Sequence, residues 1–207
     1  MKRTMMMLLA AFVCLSSVNA QKKHNYDTMD LLVGGKVGIG ASTLTSIDAK
    51  YQFFPTAGIY GELFINPSLS MSLELAYVHK GGNDTYAVKA PEYGPYDYHL
   101  HYINTSYLVK YYVTKELGIY TGLTLGRSVG AKSKFEGSTT DIKDQVKSGD
   151  FSIPVGLEYN IGKNLTLDAR YHWSTGKLAK TDKAKYILGD AHNSLITLTI
   201  GYKLLVF

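Results

Sequence analysis

Eight ionisable residues recur on one parity of alternating segments: Lys36, Lys110, Arg170 and Lys203 against Glu62, Glu74, Glu158 and Asp168. Four cations facing four anions in one enclosed space would form a structural ion-pair and hydrogen-bond plug, because isolated buried charges cost several kcal/mol each. The same set could instead line a proton or solute pathway, or a gate opened by re-pairing the charges. Histidines are the next candidates: His24, His79, His99, His101, His172 and His192. His99 and His101, with Asp97 nearby, have the donor types of a metal site, but a pair two residues apart in a loop more often marks a polar surface. Nucleophilic catalysis would need a Ser, a His and an acid together at a rim; His79 is the one candidate, and an interfacial polar residue is its simpler reading. Glycine-rich stretches lack the Lys-Ser/Thr ending of a phosphate loop, so no catalytic, cofactor or metal residue is assigned. Tyr86, Tyr93, Tyr96, Tyr98 and Tyr102 cluster in a long Gly, Pro and Tyr-rich segment, where tyrosine suits partner contact or an interfacial aromatic girdle.

These residues need elements to hold them, and the segment Phe151 to Trp173 shows which. Phe151, Ile153, Val155, Leu157 and Tyr159 share one parity, and Leu165, Leu167, Ala169, Tyr171 and Trp173 repeat it after the turn Gly162, Lys163, Asn164. Period two means strands with one apolar and one polar face. The same alternation predicts strands over about Leu31 to Ser42, Phe54 to Ile65, Leu69 to Lys80, Leu100 to Val113, Leu117 to Val129 and one ending at Leu204. Glycines crowd the polar parity, as Gly34, Gly38 and Gly40 do, which a narrow barrel explains by bulky interior neighbours. Connections alternate long and short, the short ones near three residues and the long ones about ten to twenty. The fold expected is all-β: an eight-stranded antiparallel transmembrane up-and-down β-barrel with short periplasmic turns and long extracellular loops. A soluble sandwich has no reason to keep that order.

Residues 1–20 read as a cleaved signal peptide: Lys2 and Arg3, an apolar run from Met5 to Leu15, and small residues at Val18 and Ala20 before Gln21. Cleavage would leave a barrel domain over 21–207, remove the one cysteine, Cys14, and take the formal charge from +5 to +3. That excludes disulfides and thiolate chemistry, and the mild basic balance without a dense Lys/Arg cluster argues against nucleic acid. No cofactor is expected, and the partners expected are outer-membrane lipid and other envelope or extracellular proteins, with the barrel itself a monomer.

The segments LVGGKVGIGAS (32–42), AGIYGELFINPSLSMSLELAYVHKGG (57–82), YLVKYYV (107–113), GIYTGLTLGRSVGAK (118–132) and PVGLEYNIGKNLTLDARYHWS (154–174) resemble the PorT-like outer-membrane β-barrel family common in Bacteroidetes. The order of the motifs, including Glu-Leu-x-Tyr-x-x-Lys-Gly from Glu74 to Gly81, carries the resemblance. It implies an eight-stranded barrel in the Gram-negative outer membrane, in a family mostly without assigned activity whose founding member is linked to type IX secretion. The ending departs from the family's Gly-Tyr-Lys-Phe: Gly201, Tyr202 and Lys203 run on to Phe207. The function expected is non-enzymatic, structural or interactive through the extracellular loops; the alternatives are an outer-membrane lipid-modifying enzyme, or a narrow or secretion-associated channel.

Overall fold

The computed structural model describes residues 27–45, 49–86 and 95–206. The expected signal segment, Tyr93 and Phe207 lie outside the described residues. The strands are β1 (Leu31–Thr45), β2 (Gln52–Asn66), β3 (Leu69–Thr85), β4 (Tyr96–Tyr112), β5 (Leu117–Phe135), β6 (Ser138–Asp141), β7 (Gly149–Ile161), β8 (Leu165–Lys177) and β9 (His192–Val206), with one short helix, α1 (Asp182–Leu188). Each long strand pairs antiparallel with its chain neighbour, β4 joins β5, and β1 pairs with β9 from Leu32 to Thr45, which closes an eight-stranded barrel. Strand β6 stands outside the ring and pairs with β5 alone.

Alternation sets the two faces. Val37, Ile39, Ile59, Leu73, Leu125, Val155, Tyr171 and Trp173 point outward and are exposed, while Lys36, Tyr60, Glu62, Glu74, Tyr120, Glu158 and Arg170 are buried inside. An apolar outer face on a closed ladder is the arrangement hydrocarbon demands, since every backbone polar group must be paired where water is absent. The short turns at one end are locally determined. Asn66 accepts a hydrogen bond from the Ser68 N–H at 2.9 Å, the Thr114 hydroxyl accepts from the Glu116 and Leu117 N–H groups at 3.2 and 3.0 Å, and Gly162 has a φ of 65°.

The inward glycines make room for rings. A Cβ on Gly34 would meet the Tyr60 ring at 2.6 Å, one on Gly40 would enter the Phe54 ring, and one on Gly156 the Tyr120 ring. Gly38 has a different constraint: its Cβ would strike the Leu198 carbonyl on the closing strand.

Strands run further than the alternation suggests at the long-connection end. β3 reaches Thr85 instead of Lys80, β4 begins at Tyr96 instead of Leu100, and β5 reaches Phe135 instead of Val129. The segment expected as a loop from Gly130 to Asp150 therefore contains a hairpin, and that from Thr175 to Asn193 contains α1. Pairing with neighbours, not local propensity, carries these extensions: Tyr98 lies opposite Gly82 on one side and Ser133 on the other.

Closure gives a direct test. Gly38→Val should abolish refolding into detergent micelles, read as loss of the fast-migrating unheated band on SDS gels. Gly61→Ala, where the added Cβ meets nothing within 4 Å, should refold normally and gain up to about 1 kcal/mol in urea unfolding.

Candidate functional site

All eight charges singled out by parity lie in the barrel interior, and they form two groups. In the first, Lys110 Nζ donates to Glu62 Oε2 and to Glu158 Oε2, each at 2.9 Å. The Tyr112 hydroxyl donates to Glu62 Oε1 at 2.8 Å and to Glu158 Oε1 at 3.1 Å, so one ammonium and one phenol clamp two carboxylates. Lys203, on the short-turn side, donates to Asn160 Oδ1 at 2.8 Å.

In the second group Glu74 is the hub. Arg170 donates to both of its oxygens, Nη1 to Oε2 at 2.7 Å and Nη2 to Oε1 at 3.0 Å, and Lys36 Nζ donates to Oε1 at 2.8 Å. Arg170 Nε also donates to the Tyr120 hydroxyl at 2.8 Å, which in turn donates to Asp168. A planar fork held at both carboxylate oxygens fixes orientation as well as charge.

A third pair joins them: Lys80 donates to Asp150, which also accepts from the Ser174 hydroxyl at 2.9 Å. Both residues continue the inward parity of their strands, Lys80 two after Val78 and Asp150 two before Ser152. The interior among the described residues thus balances five cations against five anions. Beside the Glu74 group is a chamber of about 20 Å³, faced also by Asn104, His172 and Thr199 and large enough for little more than a water molecule.

Above the charges the interior turns apolar. Leu44, Phe54, Val78, Leu100, Tyr102 and Leu195 cluster with residues from outside the ring, Ile142, Val146, Leu178 and Leu188. Backbone bonds hold that cap in place: Lys147 N–H to Leu178 O at 2.9 Å, Lys180 N–H to Gln145 O at 3.0 Å, and Leu178 N–H to Ala191 O at 2.9 Å. Helix α1 is N-capped by the Thr181 hydroxyl, which accepts from the Ala184 N–H at 3.2 Å. Ions and solutes meet first a hydrophobic lid and then a paired-charge layer.

On the outer face, one cross-strand pair beyond Tyr77 and Ile103, the three histidines meet. The His79 ring lies 4.5 Å from His101 and 5.3 Å from His99, centroid to centroid, with Phe54 at 5.6 Å. His99 Nδ1 and Gln52 Nε2 are 2.6 Å apart, as are His101 Nδ1 and the Tyr77 hydroxyl. The rings in contact with His79 are aromatic and imidazole. Among the described residues no group of three His, Cys, Asp or Glu is arranged to hold a metal.

The tyrosines expected in a loop separate. Tyr86 is exposed just past β3, whereas Tyr96 and Tyr98 are strand residues, Tyr98 buried. Together with Phe135, which stacks on Tyr96 at 4.7 Å, they line a cleft of about 310 Å³ between β4, β5, β6 and α1. The cleft combines an aromatic and aliphatic floor with hydroxyls from Ser133, Ser138 and Thr140.

A family model for the outer membrane protein beta-barrel domain matches residues 19–179. Among solved structures, the chain is similar to Neisserial surface protein A (17% identity, TM-score 0.50, covering 84% of this chain and 97% of that one). It is also similar to Ail, the attachment invasion locus protein of Yersinia pestis, crystallised with the heparin analogue sucrose octasulfate (15% identity, TM-score 0.52, covering 86% and 99%). At those identities the likeness is one of fold. No curated protein matches the sequence.

Removing the hub acid tests the network: Glu74→Gln should destabilise the barrel by about 3–5 kcal/mol, since it takes the carboxylate from Lys36 and leaves Arg170 only Asp168 and the Tyr120 hydroxyl. Asp182→Asn, which breaks the exposed pair to Lys185, should leave the urea midpoint unchanged.

Proposed function

Since this chain belongs to the outer membrane protein beta-barrel domain family, we propose that it is a non-enzymatic membrane anchor whose work is done at its long-connection end, outside the cell. The observation that carries this reading is the doubly closed interior: a layer of five buried cations and five buried anions beneath an apolar cap. An eight-stranded barrel has an interior that side chains can fill, and here they do so with interactions that would have to be broken for anything to pass. What remains available to a partner is the projecting part of the molecule, where β3, β4 and β5 outrun the apolar band and the β6 hairpin, α1 and the cleft are assembled.

The reading includes export through residues 1–20 as a cleaved signal, residence as a monomer in outer-membrane lipid, and membership of the PorT-like branch suggested by the Glu74 to Gly81 motif. Partners would be envelope or extracellular proteins. His79 fits this account as a half-buried ring packed against Phe54, His99 and His101.

Planar-bilayer recording of the purified, refolded protein tests the reading. The expected result is a silent membrane at neutral pH and moderate voltage. Sustained unitary conductance in the unaltered protein would overturn the anchor reading in favour of a channel.

A further inference from the structure

The β5–β6 hairpin turns through Glu136 and Gly137, both with positive φ (46° and 82°), the geometry of a tight two-residue turn. In such a hairpin the first pair, Phe135 with Ser138, exchanges both backbone bonds, and the next pair does not. Ser138 and Thr140 therefore direct their backbone groups at β5, and Thr139 and Asp141 direct theirs away from it. Nothing among the described residues pairs with that side, because β6 is the terminal strand of the sheet. The side chains of Ser138 and Thr140 face the 310 Å³ cleft.

Open strand edges are usually blunted by brevity, by charged side chains and lysine above all, by proline, by a bulge or by a covering element. β6 is four residues long, Ser138, Thr139, Thr140 and Asp141, and of these devices has only its length and the charge of its last residue, with neither proline nor lysine. A free ladder edge and an aromatic-lined cleft thus adjoin each other at the extracellular end.

We propose that β6 and the cleft behind it form a docking site for an extended polypeptide strand of a partner protein, added edge to edge to β6. Main-chain bonds to Thr139 and Asp141 supply register, and the cleft supplies selectivity. Side chains of an added strand that face the cleft recur every second residue, about 7 Å apart. One fills the space between Tyr98, Phe135, Ile142 and Leu188, and so is aromatic or large and aliphatic. The next reaches the lip, where among the described residues Glu136 is the one charged residue lining the cleft. The strand recognised therefore carries a large apolar residue and, two positions away, a basic one. A second copy of this chain is a poorer occupant: pairing β6 with itself would offer the cleft only Ser138 and Thr140. The inference rests on the reading that this protein works by binding at its extracellular end.

The test uses the full mature protein in lipid nanodiscs and a fluorescent peptide of sequence Thr-Val-Thr-Trp-Thr-Lys-Thr-Val, read by anisotropy. The peptide should bind, and Thr139→Pro, which deletes an outward N–H without touching the β5–β6 bonds, should weaken it about tenfold relative to Thr139→Ala. Thr140→Trp, at an exposed position that lines the cleft, should do the same. Glu136→Lys should reverse the preference between this peptide and its Lys-to-Glu counterpart. Absence of binding to the unaltered protein, equal affinities for Thr139→Pro and Thr139→Ala, or an unchanged charge preference in Glu136→Lys would each overturn the proposal. So would concentration-dependent self-association lost in Thr139→Pro, or binding of a neutral oligosaccharide that Thr139→Pro leaves intact. These outcomes are independent of bilayer conductance, so failure here and failure of the anchor reading are told apart.

Discussion

Charge buried without water must be matched, and that constraint organises the molecule. Hydrocarbon on the outside fixes one parity of every spanning strand as apolar, which leaves only the inward parity for polar side chains. Eight strands leave too little width for a water column to solvate them, so each inward charge needs a protein partner. Glu74, held by Arg170 at both oxygens and by Lys36 at one, shows the solution: acceptors saturated by donors from strands far apart in sequence. Because Lys36, Glu74 and Arg170 sit on β1, β3 and β8, the network also ties together strands that share no ladder.

The same constraint explains why the upper interior is apolar. Beyond the lipid band the ring of charges gives way to Leu44, Phe54, Leu100 and Tyr102, which need cover from water on top. Ile142, Val146, Leu178 and Leu188 supply that cover from the connections, whose backbone groups are bonded to one another, as Lys180 is to Gln145. Burying these side chains favours an ordered lid, since apolar area removed from water stabilises by about 25 cal/mol per Å². The cleft beside Tyr98 lies in this ordered end of the barrel.

Parity made most of this legible in sequence. Period two assigned Lys36, Glu62, Glu74, Lys110, Glu158, Asp168, Arg170 and Lys203 to one face, and all eight are buried. Lys80 and Asp150 obey the same rule, yet they are the last residues of the expected third strand and of the expected loop, where the alternation does not by itself pair them. Strand ends were the weak point because Gly81, Gly82 and Gly130 look like punctuation, although cross-strand partners carry the ladder through them. Helix α1 is too short for helical periodicity to register and is fixed instead by its cap and by packing of Ala184 and Leu188. Tyr96 and Tyr98 read as loop residues for the same reason: contacts with Phe135 and Ser133 are tertiary.

Where the open edge lies follows from closure. Within lipid an unpaired strand edge would expose N–H and C=O groups to hydrocarbon, so the eight spanning strands must form a ring, and the β1–β9 seam completes it. Above the lipid band water can satisfy the same groups, and the prohibition lapses. A ninth strand can then be appended to β5 without a partner of its own, because β7 joins β5 only as far up as Arg127 and leaves the stretch from Lys132 to Phe135 free on that side. The hairpin turn at Glu136 and Gly137 fills that space with β6 and moves the edge outward by one strand, over the cleft. An edge that the membrane forbids below is thus tolerated above it, at the end where the strands leave the lipid band.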